Sequence, residues 1–409
     1  MRVAWVSVFA AAACASMPSY ELDDERAPCP SLGAVCDAPI GPAPAITAAT
    51  AVAPSAMMPP EVISQLAHNN LDVTWFRGRM FFAFRTAPYH FASPDVVMYV
   101  VSTEDHEHWT FEAAFDLDTD LREPRFLAVG DRLFLYFAVL GDYLPEFTPR
   151  EARVAEYLGP AEWSASQIVL DPGFIPWRTK SIAGQPSVIG YVGGENIYQP
   201  DGEPVRVSWW VTNDGRTLAP KFADQPVVLE GGSSETDAVV LDDGSLVAVS
   251  RNELGDDLGW GSKLCRAAAG ALGDWTCVGD PRKYDSPLMF RHRDEVYLIA
   301  RRQVSDTGNY DLGLRDLPAS EQTSQYNLNY WVTPKRCALW RVDPSGPSVA
   351  HVLDLPSSGD TCFPGLVELG DGRYLVYDYT SPLDGDLDRR WMDAQFGPTE
   401  IHYVTLTLP

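Results

Sequence analysis

From about residue 61 onward, short runs of β-branched and aromatic residues alternate with turns containing Gly and Asp. Val73-Thr-Trp-Phe76 is followed by Arg-Gly-Arg and then Met80-Phe-Phe-Ala-Phe84. Phe126–Val129 leads through Gly-Asp to Arg132–Phe137, and Ala238–Leu241 leads through Asp-Asp-Gly to Ser245–Val249. Leu366–Leu369 leads through Gly-Asp-Gly to Arg373–Tyr377. Apolar runs of this length, joined by turn residues that accept positive φ, predict β-hairpins. No long segment sustains a 3.6-residue period, so little helix is expected.

The hairpins recur, and a short polar segment precedes each one. These segments are His68–Asp72, Asp120–Glu123, Trp177-Arg178, Ser234–Thr236, Asp285-Ser286 and Gly359–Thr361. They are spaced by about 50–60 residues, except for the last interval, which carries an insertion around 306–330. Four short strands per unit at such a period predict an all-β propeller with six blades, five being the alternative. In a propeller the innermost strand of each blade begins at the central channel, so the polar segments would converge on one axis. Glu400–Leu408 reads as a strand placed to complete the first blade and close the ring by pairing N- and C-terminal strands.

Composition adds compartment and partners. The net charge of −25 argues against nucleic acid and anionic membrane surfaces as partners. Arg2 followed by the apolar run Val3–Ala13 reads as an export signal, too short to span a bilayer. It ends Ala11-Ala12-Ala13-Cys14, which resembles a bacterial lipobox with Ala where Leu is usual; an ordinary A-x-A cleavage site is the alternative. The expectation is an exported monomer, either an outer-membrane or periplasmic lipoprotein anchored through Cys14 or a secreted protein. Residues 15–60 are rich in Ala and Pro and read as a flexible tether, with 61–409 as the propeller. Without Cys14, six cysteines remain, an even number that suits disulfides; Cys29 with Cys36, Cys265 with Cys277 and Cys337 with Cys362 are the pairings by proximity. None has zinc-site spacing, and neither a metal nor a cofactor is expected.

Two segments resemble the Asp-box turns of sialidases, S-x-D-x-G-x-x-W: Val211–Leu218, with Asp214-Gly215, and Ser102–Trp109. More broadly, the chain resembles a group of bacterial sialidase-like propeller glycosidases. The similarity runs in order through His68-Asn69-Asn70-Leu71-Asp72, Phe84-Arg85, Ser102–Trp109, Leu121-Arg122-Glu123-Pro124, Trp177-Arg178, Ser234-Glu235-Thr236, Arg301-Arg302 and Gly359–Gly365. Two departures stand out: the first segment is one residue shorter, and Glu123 replaces an Asp. The resemblance implies a carbohydrate-active propeller with its substrate on the central axis.

Glycoside hydrolysis needs two carboxyl groups across the scissile bond, one protonated and one ionised. Asp72, Glu123 and Glu235 lie at expected channel-facing blade starts. By analogy with arabinanase-type propellers, Asp72 would be the base, Glu123 an orienting carboxylate beside Arg122, and Glu235 the acid. Sialidases instead clamp a substrate carboxylate with three arginines and use a Tyr activated by a Glu. Arg85, Arg122, Arg178, Arg251 and Arg301 are the candidates for such a clamp, and Tyr377 or Tyr379 for the nucleophile, although the sialidase R-I-P signature is absent. His68, Asn69, Trp177, Asp360 and Tyr379 complete the expected substrate contacts, and Trp260 is a further candidate for stacking on a sugar. Two rivals remain: a lyase for uronic-acid glycans using His68 and a Tyr, and a binding propeller without chemistry.

Overall fold

The computed structural model describes residues 26–144, 147–170, 172–198, 203–222 and 226–409. They form six antiparallel sheets arranged as the blades of a β-propeller. The inner strands are Ala67–Phe76, Leu121–Val129, Ile175–Ile182, Ser233–Val240, Asp285–His292 and Gly365–Gly370. Each pairs with the next strand in sequence, so every blade grows outward by hairpins. Several first hairpins turn through two residues with positive φ: Arg77-Gly78 (48° and 77°), Ala183-Gly184 (51° and 73°) and Asp371-Gly372 (51° and 76°). That is the turn whose twist matches paired strands. At Gly372 a Cβ would also lie 2.5 Å from the Leu408 carbonyl oxygen.

Closure differs in detail from the expectation. Glu400–Thr407 is the third strand of the sixth blade, paired with Arg373–Thr380. It is not paired with a strand of the first blade; the preceding Thr399 bridges to Ala67, and Tyr403 packs on His106 of that blade. Its outer edge is covered by Ala45–Ile46 and Thr50–Ala53, so the N- and C-terminal strands do pair, in the last blade. An uncovered strand edge invites intermolecular pairing, and this N-terminal contribution removes it. The described part of the segment read as a tether, 26–60, is thus packed on the sixth blade, with Ala27, Leu32, Val35 and Val52 buried.

The core lies between blades, where aromatic and aliphatic faces of adjacent sheets meet. Tyr377, expected in the site, is here: it packs against Phe82 and Tyr403, and its hydroxyl meets His106 Nε2. Between inner strands, Asp72 accepts the Phe126 N–H (2.7 Å), and Asp237 likewise accepts the Met289 N–H (2.6 Å). The two Asp-box-like segments are turns between third and fourth strands. Asp214 accepts the Thr217 and Arg216 N–H groups, and Asp105 those of His108 and Glu107. Gly215 (φ 72°) and His106 (φ 64°) hold equivalent positions.

Disulfides join Cys265 to Cys277 within the fourth blade and Cys337 in the fifth blade to Cys362 at the start of the sixth. Cys29 and Cys36 are neighbours but unbonded. Burial, together with a hydrogen bond to Cys29, pushes the Cys36 thiol up to about 12. Two disulfides suit an oxidising compartment, consistent with export. No helix among the described residues is long and apolar enough to cross a membrane. Cys14 lies outside the described residues.

Candidate active site at one mouth of the channel

The inner strands do not run straight to the axis. Their pairing slips at Asn69/Leu71, Arg122/Arg125, Pro176/Arg178, Ser233/Thr236 and Asp285/Leu288. In the sixth blade the ladder is interrupted before Gly365, where Phe363 N–H bonds Asp378 instead (2.8 Å). Asn70, Glu123, Ser286 and Cys362 take positive φ there (42°, 53°, 53° and 82°). A bulge re-aims a side chain that regular pleating would bury in the sheet. Six residues from these irregular positions line one cavity of about 450 Å³: Asn70, Glu123, Trp177, Glu235, Ser286 and Phe363. The ring of polar segments seen along the sequence is this set, and strained backbone at three of its positions, and at Cys362 beside a fourth, is a mark of functional sites.

A second ring comes from the ends of second strands and the loops that follow them. Tyr191, Arg251, Glu253, Arg301 and Tyr379 belong to it, His90 joins from the first blade's loop, and Arg122 adds to it from the start of the second blade's inner strand. The insertion folds as the helix Ala319–Val332, which places Asn327 and Trp331 on the cavity beside Trp391. Trp260 does not face the cavity; it stacks on Tyr326 of this helix, ring centroids 4.4 Å apart, and anchors it.

The cavity floor is a dense charge network. Arg251 reaches Glu235 (2.8 Å), Glu253 (2.6 Å) and Asp285 (2.8 Å). Glu235 also accepts the Ser286 N–H at 2.6 Å. Arg122 is held by Asp120 (2.6 Å) and the His90 carbonyl (2.7 Å). Arg301 bonds the Thr361 and Cys362 carbonyls and the hydroxyls of Tyr330 and Tyr379. Glu123 differs: its contact is Asn70 Nδ2 donating to Oε1 (3.3 Å), and its Oε2 is buried without a partner. Burial foremost, with the charge of Glu235, pushes the Glu123 carboxyl up to about 7 against the pull of Arg125 and Arg122. Burial likewise raises Glu253.

Of the residues expected from sequence, Glu123, Glu235, Arg122, Trp177, Arg251, Arg301 and Tyr379 line this cavity. The others do not. Asp72 and Arg178 line a separate cavity of about 660 Å³ that also takes in Arg125, Lys180 and Asp237. Arg178 there ties the carbonyls of Pro287 and Ser286 to its own blade. Arg85 is buried on Asp120, Asn69 and the Phe91 carbonyl, holding the loop that carries His90. His68 is buried against Thr399, and Asp360 sits one layer behind the wall, accepting from the Tyr379 hydroxyl (2.9 Å) and contacting His90 (2.7 Å). Period-2 alternation explains the misses: Asp72 and Arg178 fall past the bulge, where successive side chains lie on opposite faces. Asn70, His90, Glu253, Tyr191, Tyr198 and Trp331 were not singled out from sequence. Asn70 adjoins Asn69 and Glu253 lies two residues from Arg251, Tyr191 lies at the end of an ordinary strand, and no periodicity marks the loops and helix that supply the rest. Among the described residues, Cys337, Cys362 and Asp378 are the one group close enough to share an ion, and its sulfurs are joined in the disulfide.

No protein-family model and no curated protein sequence matches this chain. Solved structures do. A protein of unknown function from Dyadobacter fermentans superposes with a TM-score of 0.60 at 14% identity, over 90% of this chain and all (100%) of that one. Trypanosoma rangeli sialidase in complex with the inhibitor DANA gives 0.55 at 9% identity, over 83% of this chain and 55% of the sialidase. The same sialidase in complex with sialic acid gives 0.54 at 10% identity, over 89% and 59%. At these identities the likeness shows the class of fold alone: a six-bladed β-propeller.

Proposed function

We propose that the cavity hydrolyses a glycosidic bond, with Glu123 as the proton donor and Glu235 as its partner carboxylate. The observation that carries this reading is that Glu123 and Glu235, in one cavity, have unlike surroundings. Glu123 is buried without a cation in contact and is raised to about 7, whereas Glu235 is ion-paired to Arg251 and accepts a backbone N–H. Such asymmetry divides acid from base or nucleophile. Glu123 would pass its proton to the departing glycosidic oxygen as the bond to the anomeric carbon breaks. Water, directly or after attack by Glu235, supplies the new hydroxyl and returns the proton. This reverses the roles suggested by the arabinanase analogy and leaves out Asp72. The substrate would be an extracellular polysaccharide or glycan, in keeping with the disulfides.

The test is release of reducing sugar from polysaccharides and aryl glycosides by the purified protein, read together with ultraviolet absorbance. Reducing sugar without absorbance, lost in Glu123→Gln and Glu235→Gln, is the expected result. An absorbing product would mean a lyase. Sugar binding without release would mean a carbohydrate-binding propeller.

A further inference from the structure

We infer that the sugar held in this cavity is uncharged, so that the arginines around it serve the protein's own carboxylates and not an acidic substrate. This rests on the hydrolase reading for its setting, but concerns recognition and is tested separately.

Three arginines line the cavity, Arg122, Arg251 and Arg301, as a clamp for a sugar carboxylate would require. Most of their nitrogens already face partners within the protein. Each of the three nitrogens of Arg251 faces a different carboxylate, Nη1 to Glu235, Nη2 to Glu253 and Nε to Asp285. In Arg301, Nε bonds the Thr361 carbonyl, Nη1 the Tyr330 hydroxyl (2.8 Å) and Nη2 the Cys362 carbonyl and Tyr379 hydroxyl (3.2 and 3.3 Å). In Arg122, Nε and Nη2 are taken by Asp120 and the His90 carbonyl. Their carboxylate partners are Asp120, which Arg85 shares, and Glu235, Glu253 and Asp285, and Glu123 adds a further carboxyl group to the lining. A carboxylate on the sugar would have to displace one of these buried partners, leaving a desolvated charge unpaired, or sit beside them and be repelled.

The groups left without partners point the same way. The cavity-lining buried atoms lacking a hydrogen bond are Asn70 Oδ1, Glu123 Oε2, Trp177 Nε1, Trp391 Nε1, Gln395 Nε2 and Arg251 Nε, the last lying 2.8 Å from Asp285 Oδ1 without hydrogen-bond geometry. The first three come from the inner-strand ring. Oδ1 of Asn70 accepts, the indole N–H of Trp177 donates, and Glu123 donates when protonated. Sugar hydroxyls, which both donate and accept, can satisfy all three. A carboxylate that took the place of such a hydroxyl would only accept, and would leave Asn70 Oδ1 orphaned at the usual cost of a buried polar atom.

The experiment compares matched pairs of nitrophenyl glycosides that share an aglycone and differ only at the sugar's C6: glucoside with glucuronide, galactoside with galacturonide, and arabinofuranoside with sialoside as outliers. Turnover is measured on the full chain. Binding of the corresponding free sugars is measured by calorimetry on Glu123→Gln. The expected result is preference for the neutral member by at least about tenfold, equivalent to ~1.4 kcal/mol. Equal or better binding of the acidic members overturns the inference and leaves hydrolysis intact. Neutral sugars bound but never cleaved overturn the hydrolase reading and leave the inference standing. Failure of both classes to bind overturns the inference. A second variant guards against misreading: Glu253→Gln keeps the acceptor for the Ser234 hydroxyl (2.9 Å) but frees Arg251 Nη2. It should shift the preference towards acidic sugars by about tenfold; an unchanged ratio would show that arginine saturation is not what excludes them.

Discussion

Glu123→Gln isolates the chemistry of the cavity from its architecture. Gln keeps the shape and the acceptor for Asn70 Nδ2, and its amide NH₂ occupies the place of the unpartnered Oε2. What it removes is the ionisable proton. In the folded protein Glu123 holds that proton up to about 7, against an ordinary 4.5. Between those two values the folded state binds more protons than the unfolded chain, so stability falls as pH rises through the window. The separation corresponds to about 3 kcal/mol, fully felt above pH 7, at roughly 1.4 kcal/mol per pH unit. Glu123→Gln should therefore melt no lower than the native chain at pH 5 and higher than it at pH 8. The catalytic effect runs the other way, because loss of a positioned acid costs about 10²- to 10⁴-fold in rate. The native rate should fall on the alkaline side near pH 7 as Glu123 ionises, and the variant should lose that limb. The loss should be smallest with nitrophenyl leaving groups, which depart with little protonation, and largest with alkyl or sugar leaving groups. Rates read from pH 4.5 to 9 on both leaving-group classes, alongside melting curves, test this. An alkaline limb that survives in Glu123→Gln, or an equal loss on both classes, would refute the assignment.

Three further outcomes follow from where side chains lie. Asp72→Ala leaves the Phe126 N–H without its acceptor and should cost about 1–3 kcal/mol in urea unfolding, while kcat on any substrate stays near the native value; a large fall in kcat would return Asp72 to the catalytic set. Tyr377→Phe removes one hydroxyl contact with His106 in the inter-blade core, so a stability change of about 1 kcal/mol with unaltered kinetics is expected, and loss of turnover would contradict its placement. Replacing Cys337 and Cys362 with Ser should lower stability by about 2–4 kcal/mol. It should also weaken substrate binding, because the Thr361 and Cys362 carbonyls that hold Arg301 lose their tether. KM unchanged alongside the fall in melting temperature would separate the disulfide from the site.

Much of this molecule was legible in the residues. Hairpins with Gly-Asp turns point to a propeller because they recur in units of four short strands at near-constant spacing, each unit too small to bury its faces except against its neighbours. The polar segments ahead of each hairpin marked the channel mouth and contained Glu123 and Glu235, and Arg251 and Arg301 were candidates from hairpin ends by resemblance to a sialidase clamp. Tertiary structure decided which neighbours share a face. A single bulged residue per blade separates Glu123 from the following strand, and the same device leaves Asp72 on another cavity although it lies two residues from Asn70. Tyr377 and Tyr379 are likewise adjacent in the pattern, yet one is in the core and the other on the cavity wall. Ala45–Ala53 reads as low-complexity sequence because its partner edge, Glu400–Thr407, lies some 350 residues away. The state of Glu123 and the saturation of the arginines depend on burial and on partners from other blades. Those are properties of the assembled ring, which no local stretch of sequence contains.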